Sequence, residues 1–102
     1  MTSITGKDIH KVVVACDAGM GSSVMLASTL RRQLAKFDVT VVHSPVNQIP
    51  ADADVVVCHS GLAERARVSA PNSVVVPVQV FIGDPAVAKV VAAVKDGGVL
   101  NG

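Results

Sequence analysis

Cys16 closes an apolar run, Val12-Val13-Val14-Ala15, and opens the stretch Cys16-Asp17-Ala18-Gly19-Met20-Gly21-Ser22-Ser23. A thiol set between a β-branched run and a turn rich in glycine and serine has the makings of a nucleophile held over an anion cradle. The glycines allow backbone amides to approach an anion closely. A helix reading from about Val24 to Phe37 adds free N–H groups and the positive end of its dipole. These surroundings favour the thiolate over the thiol, and the thiolate is the reactive form. Cys16 is therefore the expected chemical centre, with Asp17, Ala18, Gly19, Met20, Gly21, Ser22 and Ser23 as a phosphate-binding loop. Ser22 and Ser23 are also suited to cap the helix, which is the same geometry that turns its amides toward the anion.

The remaining reactive side chains carry less. Cys58 ends a second apolar run, where a packed structural thiol is the default. His59 follows it as a candidate accessory residue, and His43 is a weaker one. Met20 and Met25 suit an adaptable apolar rim for a partner protein. The Asp17 carboxylate would repel a charged group on Cys16, so its expected part is to hasten release of that group or to touch a partner. Arg31, Arg32 and Lys36 read as a solvated helix face.

The elements that must position these residues alternate between short β-branched runs and amphipathic stretches, as in βαβ units with a parallel sheet. Lys11 to Ala15 reads as the first strand. Val24, Ala27, Leu30, Leu34 and Phe37 recur at helical spacing after it. A second strand reads from Val39 to Val42, a loop with two prolines from Pro45 to Asp52, and a third strand from Asp54 to Cys58. A short helix with Leu62, Ala66 and Ala70 on one face ends before Pro71. Ser73 to Val76 reads as a fourth strand. Asp84 and Pro85 open a last helix striped by Val87, Val90, Val91 and Val94 and stopped by Gly97 and Gly98. The expectation is a three-layer α/β sandwich, with a four-stranded parallel sheet flanked by helices on both faces. The first strand is central, and the phosphate-binding loop follows it at the sheet's carboxyl edge, where such folds bind ligands.

Composition narrows the function classes. The 102 residues suit a single domain, 1–102, with 1–10 as a flexible lead-in. Nine lysines and arginines face eight aspartates and glutamates, so no charge excess points to nucleic acid or an anionic membrane. Trp and Tyr are absent and Phe occurs twice, which argues against a site that stacks on a sugar ring or a base. No stretch approaches the roughly 20 apolar residues that cross a bilayer, and 1–10 lacks the apolar segment of a signal peptide, so a cytosolic chain is expected. The two cysteines have neither disulfide-scaffold nor zinc spacing, so no metal or other cofactor is expected.

Two chemistries fit a cysteine at the head of such a loop. In a Cys-x5-Arg loop the arginine clamps the oxygens of a phosphate monoester, but here that position is Ser22. Hydrolysis also needs an acid for the leaving group, and only Asp17 or Asp84 is at hand. A carrier thiolate has the opposite need, since its phosphorylated form must persist. Backbone amides, the Ser22 and Ser23 hydroxyls and the helix dipole can compensate its charge without an arginine.

The loop 16–23 resembles the phosphorylation loop of the mannitol-type IIB component of the bacterial phosphoenolpyruvate-dependent sugar phosphotransferase system. So do the strand before it, the approach Ile49-Pro50-Ala51-Asp52-Ala53-Asp54, and His59-Ser60-Gly61-Leu62-Ala63-Glu64-Arg65-Ala66. Cys58 and the pair Ser60-Gly61 depart from that pattern. The resemblance implies that a phosphohistidine on a IIA protein donates to Cys16. Cys16 then donates to a sugar or sugar alcohol, mannitol first, held by a membrane IIC partner at whose inner face the chain works. The alternatives are a low-molecular-weight cysteine phosphatase or arsenate-reductase-like enzyme, and a module that signals to a transcription regulator through phosphorylated Cys16.

Overall fold

Three valine triplets build the centre of the molecule. The computed structural model describes residues 3–16, 21–79 and 85–101. Its strands are β1 (Ser3–Thr5), β2 (Lys11–Cys16), β3 (Thr40–Pro45), β4 (Val55–His59), β5 (Val74–Val78) and β6 (Val99–Asn101). Its helices are α1 (Gly21–Leu34), α2 (Ala63–Ser69) and α3 (Pro85–Asp96). Four strands form a parallel sheet in the order β3-β2-β4-β5. In it Val12, Val55 and Val74 lie side by side, as do Val13, Val56 and Val75, and then Val14, Val57 and Val76.

All nine valines are buried. Consecutive residues point to opposite faces, so an unbroken apolar run marks a strand covered on both sides. Val12, Val14, Val55, Val57, Val74 and Val76 share one core with Leu26, Leu30 and Leu34 of α1 and Val90, Val91 and Val94 of α3. Val13, Ala15, Val56, Cys58 and Val75 pack on the other face against Leu62, Ala63 and Ala66, beside Val46 and Ile49. The expected three layers and the four-stranded parallel sheet are therefore present.

Hydrogen bonds between segments distant in sequence hold the amino ends of the strands. Asp54 accepts from the backbone N–H groups of His10 and Lys11 through Oδ2, at 2.8 and 3.0 Å. The buried Ser73 hydroxyl donates to the Ala53 carbonyl. On the edge strand β3, Arg31 Nε donates to the Val41 carbonyl at 2.8 Å. Arg31 thus does more than solvate a helix face: it satisfies a carbonyl on a strand edge that would otherwise be open to pairing.

Several element boundaries differ from the sequence expectation. α1 begins at Gly21, not near Val24, so Ser22 and Ser23 lie inside its first turn. The helix stops at Leu34 and tightens into a 3-10 turn over Ala35–Phe37, which leaves Phe37 38% exposed and outside the core stripe. β5 runs on through Pro77, a residue an edge strand tolerates because one of its sides makes no ladder. The segment 1–10, expected to be a free lead-in, carries structure from Ser3 onward. β1 pairs antiparallel with β6, and Ile9 and Leu100 enter the core. Isolated Ile4, Ile9 and Leu100 in polar surroundings have no periodicity of their own, so this ribbon left no local signal. Residues 17–20 of the expected loop, and Asp84 at the expected helix start, lie outside the described residues.

Candidate functional site

The chain leaves β2 for β3 on one side and later returns to β4 on the other. β2 is therefore the switch point of the sheet, and the crevice outside its carboxyl end is where an open α/β sheet binds ligands. Cys16 is the last residue of β2, at the level of Pro45 in β3. Five residues later, at Gly21, α1 begins, and its first turn contains no acidic residue. The unmatched N–H groups of that turn and the positive end of the dipole belong to this same edge of the sheet.

The other candidates separate by register. Ser44 pairs with Ala15, and His43 pairs with Val14, farther from the edge and exposed. Cys58 also pairs with Ala15, but it is fully buried on the α2 side. Its burial pushes the thiol up to about 11, against a weaker opposing pull from Arg67. A buried, protonated thiol is no nucleophile at neutral pH, in keeping with the structural part expected of it. Met25 is 57% exposed on α1, available as rim.

His59 stands apart from His43. It is the last residue of β4, paired with Val78 on one side. On the other side the residue before it, Cys58, is the last of β4 to pair with β2, opposite Ala15. The ring is half-buried, and its Nδ1 accepts the Gly61 backbone N–H at 3.2 Å across the turn Ser60–Leu62. Sequence reasoning missed that contact because it depends on the 3-10 turn Ser60–Leu62 between β4 and α2, which the helical spacing of Leu62, Ala66 and Ala70 does not show. Ser60-Gly61, a departure from the resemblance, supplies the backbone N–H that the His59 ring accepts.

Residues 11–93 match the protein family described as the lactose/cellobiose-specific IIB subunit of the PTS system. The chain belongs to this IIB family. The matched span starts at the first residue of β2 and ends within α3, so the β1–β6 ribbon lies outside the family's common unit. Among curated proteins the IIB chain is similar to the mannitol-specific EIICB component of the PTS system from Bacillus subtilis (strain 168). They are 38% identical over 86 residues, 82% of this chain and 18% of that protein. The mannitol-specific EIICB components of Geobacillus stearothermophilus and Staphylococcus aureus (strain COL) are each 42% identical to it, over 79 and 81 residues. The IIB chain spans only 16–18% of the length of these relatives. Among its described residues no helix is long and apolar enough to cross a membrane.

Proposed function

We propose that this chain is a mannitol-type IIB phosphocarrier with Cys16 as the transient phosphoryl acceptor. The observation that carries this is the position of Cys16 at the carboxyl end of the switch-point strand, five residues before a helix whose first turn is free of acidic residues. The names of the mannitol-specific relatives support the choice of substrate class.

The chemistry is a pair of displacements. The Cys16 thiolate attacks the phosphorus of a phosphohistidine on a IIA protein, forming an S–P bond as the N–P bond breaks, and the imidazole leaves. A hydroxyl oxygen of the sugar alcohol, held by a membrane IIC partner, then attacks the same phosphorus. The S–P bond breaks, the hydroxyl proton passes to solvent, and the thiolate returns. Backbone amides of residues 17–23 and the dipole of α1 compensate the phosphoryl charge, while the absence of an arginine at position 22 leaves the group free to move on. Asp17 adds a repulsive charge that favours onward transfer. Work at the cytoplasmic face of the membrane follows from the partner.

Intact-protein mass spectrometry tests the proposal, after incubation with phosphoenolpyruvate, the general phosphotransfer proteins and a mannitol-type IIA. One added phosphoryl group is expected in the native chain and in Cys58→Ala, and none in Cys16→Ala. An unmodified native chain beside an active donor overturns the carrier reading, and turnover of p-nitrophenyl phosphate in its place favours a phosphatase.

A further inference from the structure

We propose that the outer face of α3, together with β6, is a surface on which a second copy of this chain docks. α3 ends at Asp96, Gly97 takes the left-handed conformation at φ +70°, and the chain turns back into β6. Between helix and strand lies an open groove of about 390 Å³. Lys89, Ala92 and Asp96 line it from the helix and Val99 from the strand, over the buried Ala93 and Leu100. Val99 is 64% exposed, and the helix presents Ala88 and Ala92 to solvent. Apolar surface at a groove of this kind is stabilised when a partner covers it.

The charges name the occupant. Lys89 and Asp96 are two helical turns apart, about 10.5 Å along the axis and about 20° around it, so they share one face with Ala92 between them. At that spacing they do not reach each other, and among the described residues neither forms an ion pair. A two-fold axis perpendicular to the helix, passing beside Ala92 and Ala93, sets a second α3 antiparallel against the first. It brings the partner's Asp96 to Lys89 and the partner's Lys89 to Asp96, both on the groove side. Lys95, on the opposite flank, then lies over the partner's Ala88 and meets no like charge. The face is thus its own complement: two ion pairs beside an apolar centre whose alanines let the helix backbones come close. A nucleic acid or an anionic membrane would be repelled by Asp96.

Extent sets the strength. Three turns of helix and one short strand bury on the order of 1,000 Å² in total, the low end for a specific interface, so the association is weak and depends on concentration. Exposed ion pairs add little affinity, and their part here is to fix the antiparallel register. The groove also lies away from Cys16. Gly6 and Lys7, which precede β2, approach Ala93 and Gly97, so this end of α3 is at the amino edge of the sheet and Cys16 is at the carboxyl edge.

Sedimentation equilibrium of the full chain tests the proposal, from about 10 μM to about 1 mM at low salt. The native chain should pass from monomer to dimer across that range. Lys89→Glu and Asp96→Lys each place two like-charge pairs in the interface, and each should raise the dissociation constant at least about tenfold. The double variant Lys89→Glu/Asp96→Lys restores opposite charges and should return the constant to within about threefold of the native value. All three changes fall on exposed residues, and circular dichroism should show the native fold in each. A native chain that stays monomeric at about 1 mM overturns the proposal. So does a dimer indifferent to the single reversals, or a double variant no better than the singles.

Discussion

Ala15 of β2 and Cys58 of β4 are register partners one residue short of the edge where both strands end, and both are fully buried on the α2 side of the sheet. Cys58 therefore lies beside the strand that ends in Cys16 and yet is shut away from solvent. Burial raises its thiol from the usual 9.0 to about 11. In the native chain at neutral pH, iodoacetamide should leave Cys58 unmodified, and unfolding in urea should expose it; peptide mapping reads the outcome. The same shift gives a pH dependence. Between about 9 and 11 the unfolded chain has lost the Cys58 proton and the folded chain still holds it. The contribution is thus fully present below 9.0 and is lost as pH rises toward 11. The stability difference between the native chain and Cys58→Ala should shrink across that window in urea titrations, and a flat difference would count against the buried thiol.

Gly6 decides whether the β1–β6 ribbon is docked. Its N–H donates to the Gly98 carbonyl at 2.7 Å, and a Cβ at this position would sit 1.7 Å from the Ala93 carbonyl oxygen of α3. Gly6→Ala should cost about 3 kcal/mol, because backbone cannot yield as a side chain does. Gly98→Ala meets nothing within 4 Å and should stay within about 0.5 kcal/mol. Equal chemical denaturation midpoints for the two variants would mean that the ribbon does not pack on α3.

The valine grid makes a steeper contrast. Val57 is fully buried between β2 and β5, and Val68 on α2 is 83% exposed. Val57→Ala should cost about 2–3 kcal/mol from lost burial and the cavity left behind. Val68→Ala should change stability by less than about 0.5 kcal/mol. Urea unfolding of the pair measures both.

Much of this architecture is written locally. The triplets 12–14, 55–57 and 74–76 read as doubly covered strands, and Leu30 and Leu34, or Val90, Val91 and Val94, read as helix stripes, because periodicity and β-branching act over a few residues. Cys16 at the end of a strand and before a helix follows from the same local logic. Pairing does not. Three valine triplets are interchangeable as far as their own residues go, so nothing in them says that β4, and not β5, lies beside β2. Long-range packing makes that choice: α1 and α3 must cover one face and α2 the other. The choice sets Cys58, and not a residue of β5, beside Ala15, and it buries Cys58 on the α2 side. The ribbon that joins Ser3–Thr5 to Val99–Asn101 is decided in the same way, since its two halves are three residues each and gain stability from each other and from the core on which Ile4 and Leu100 pack.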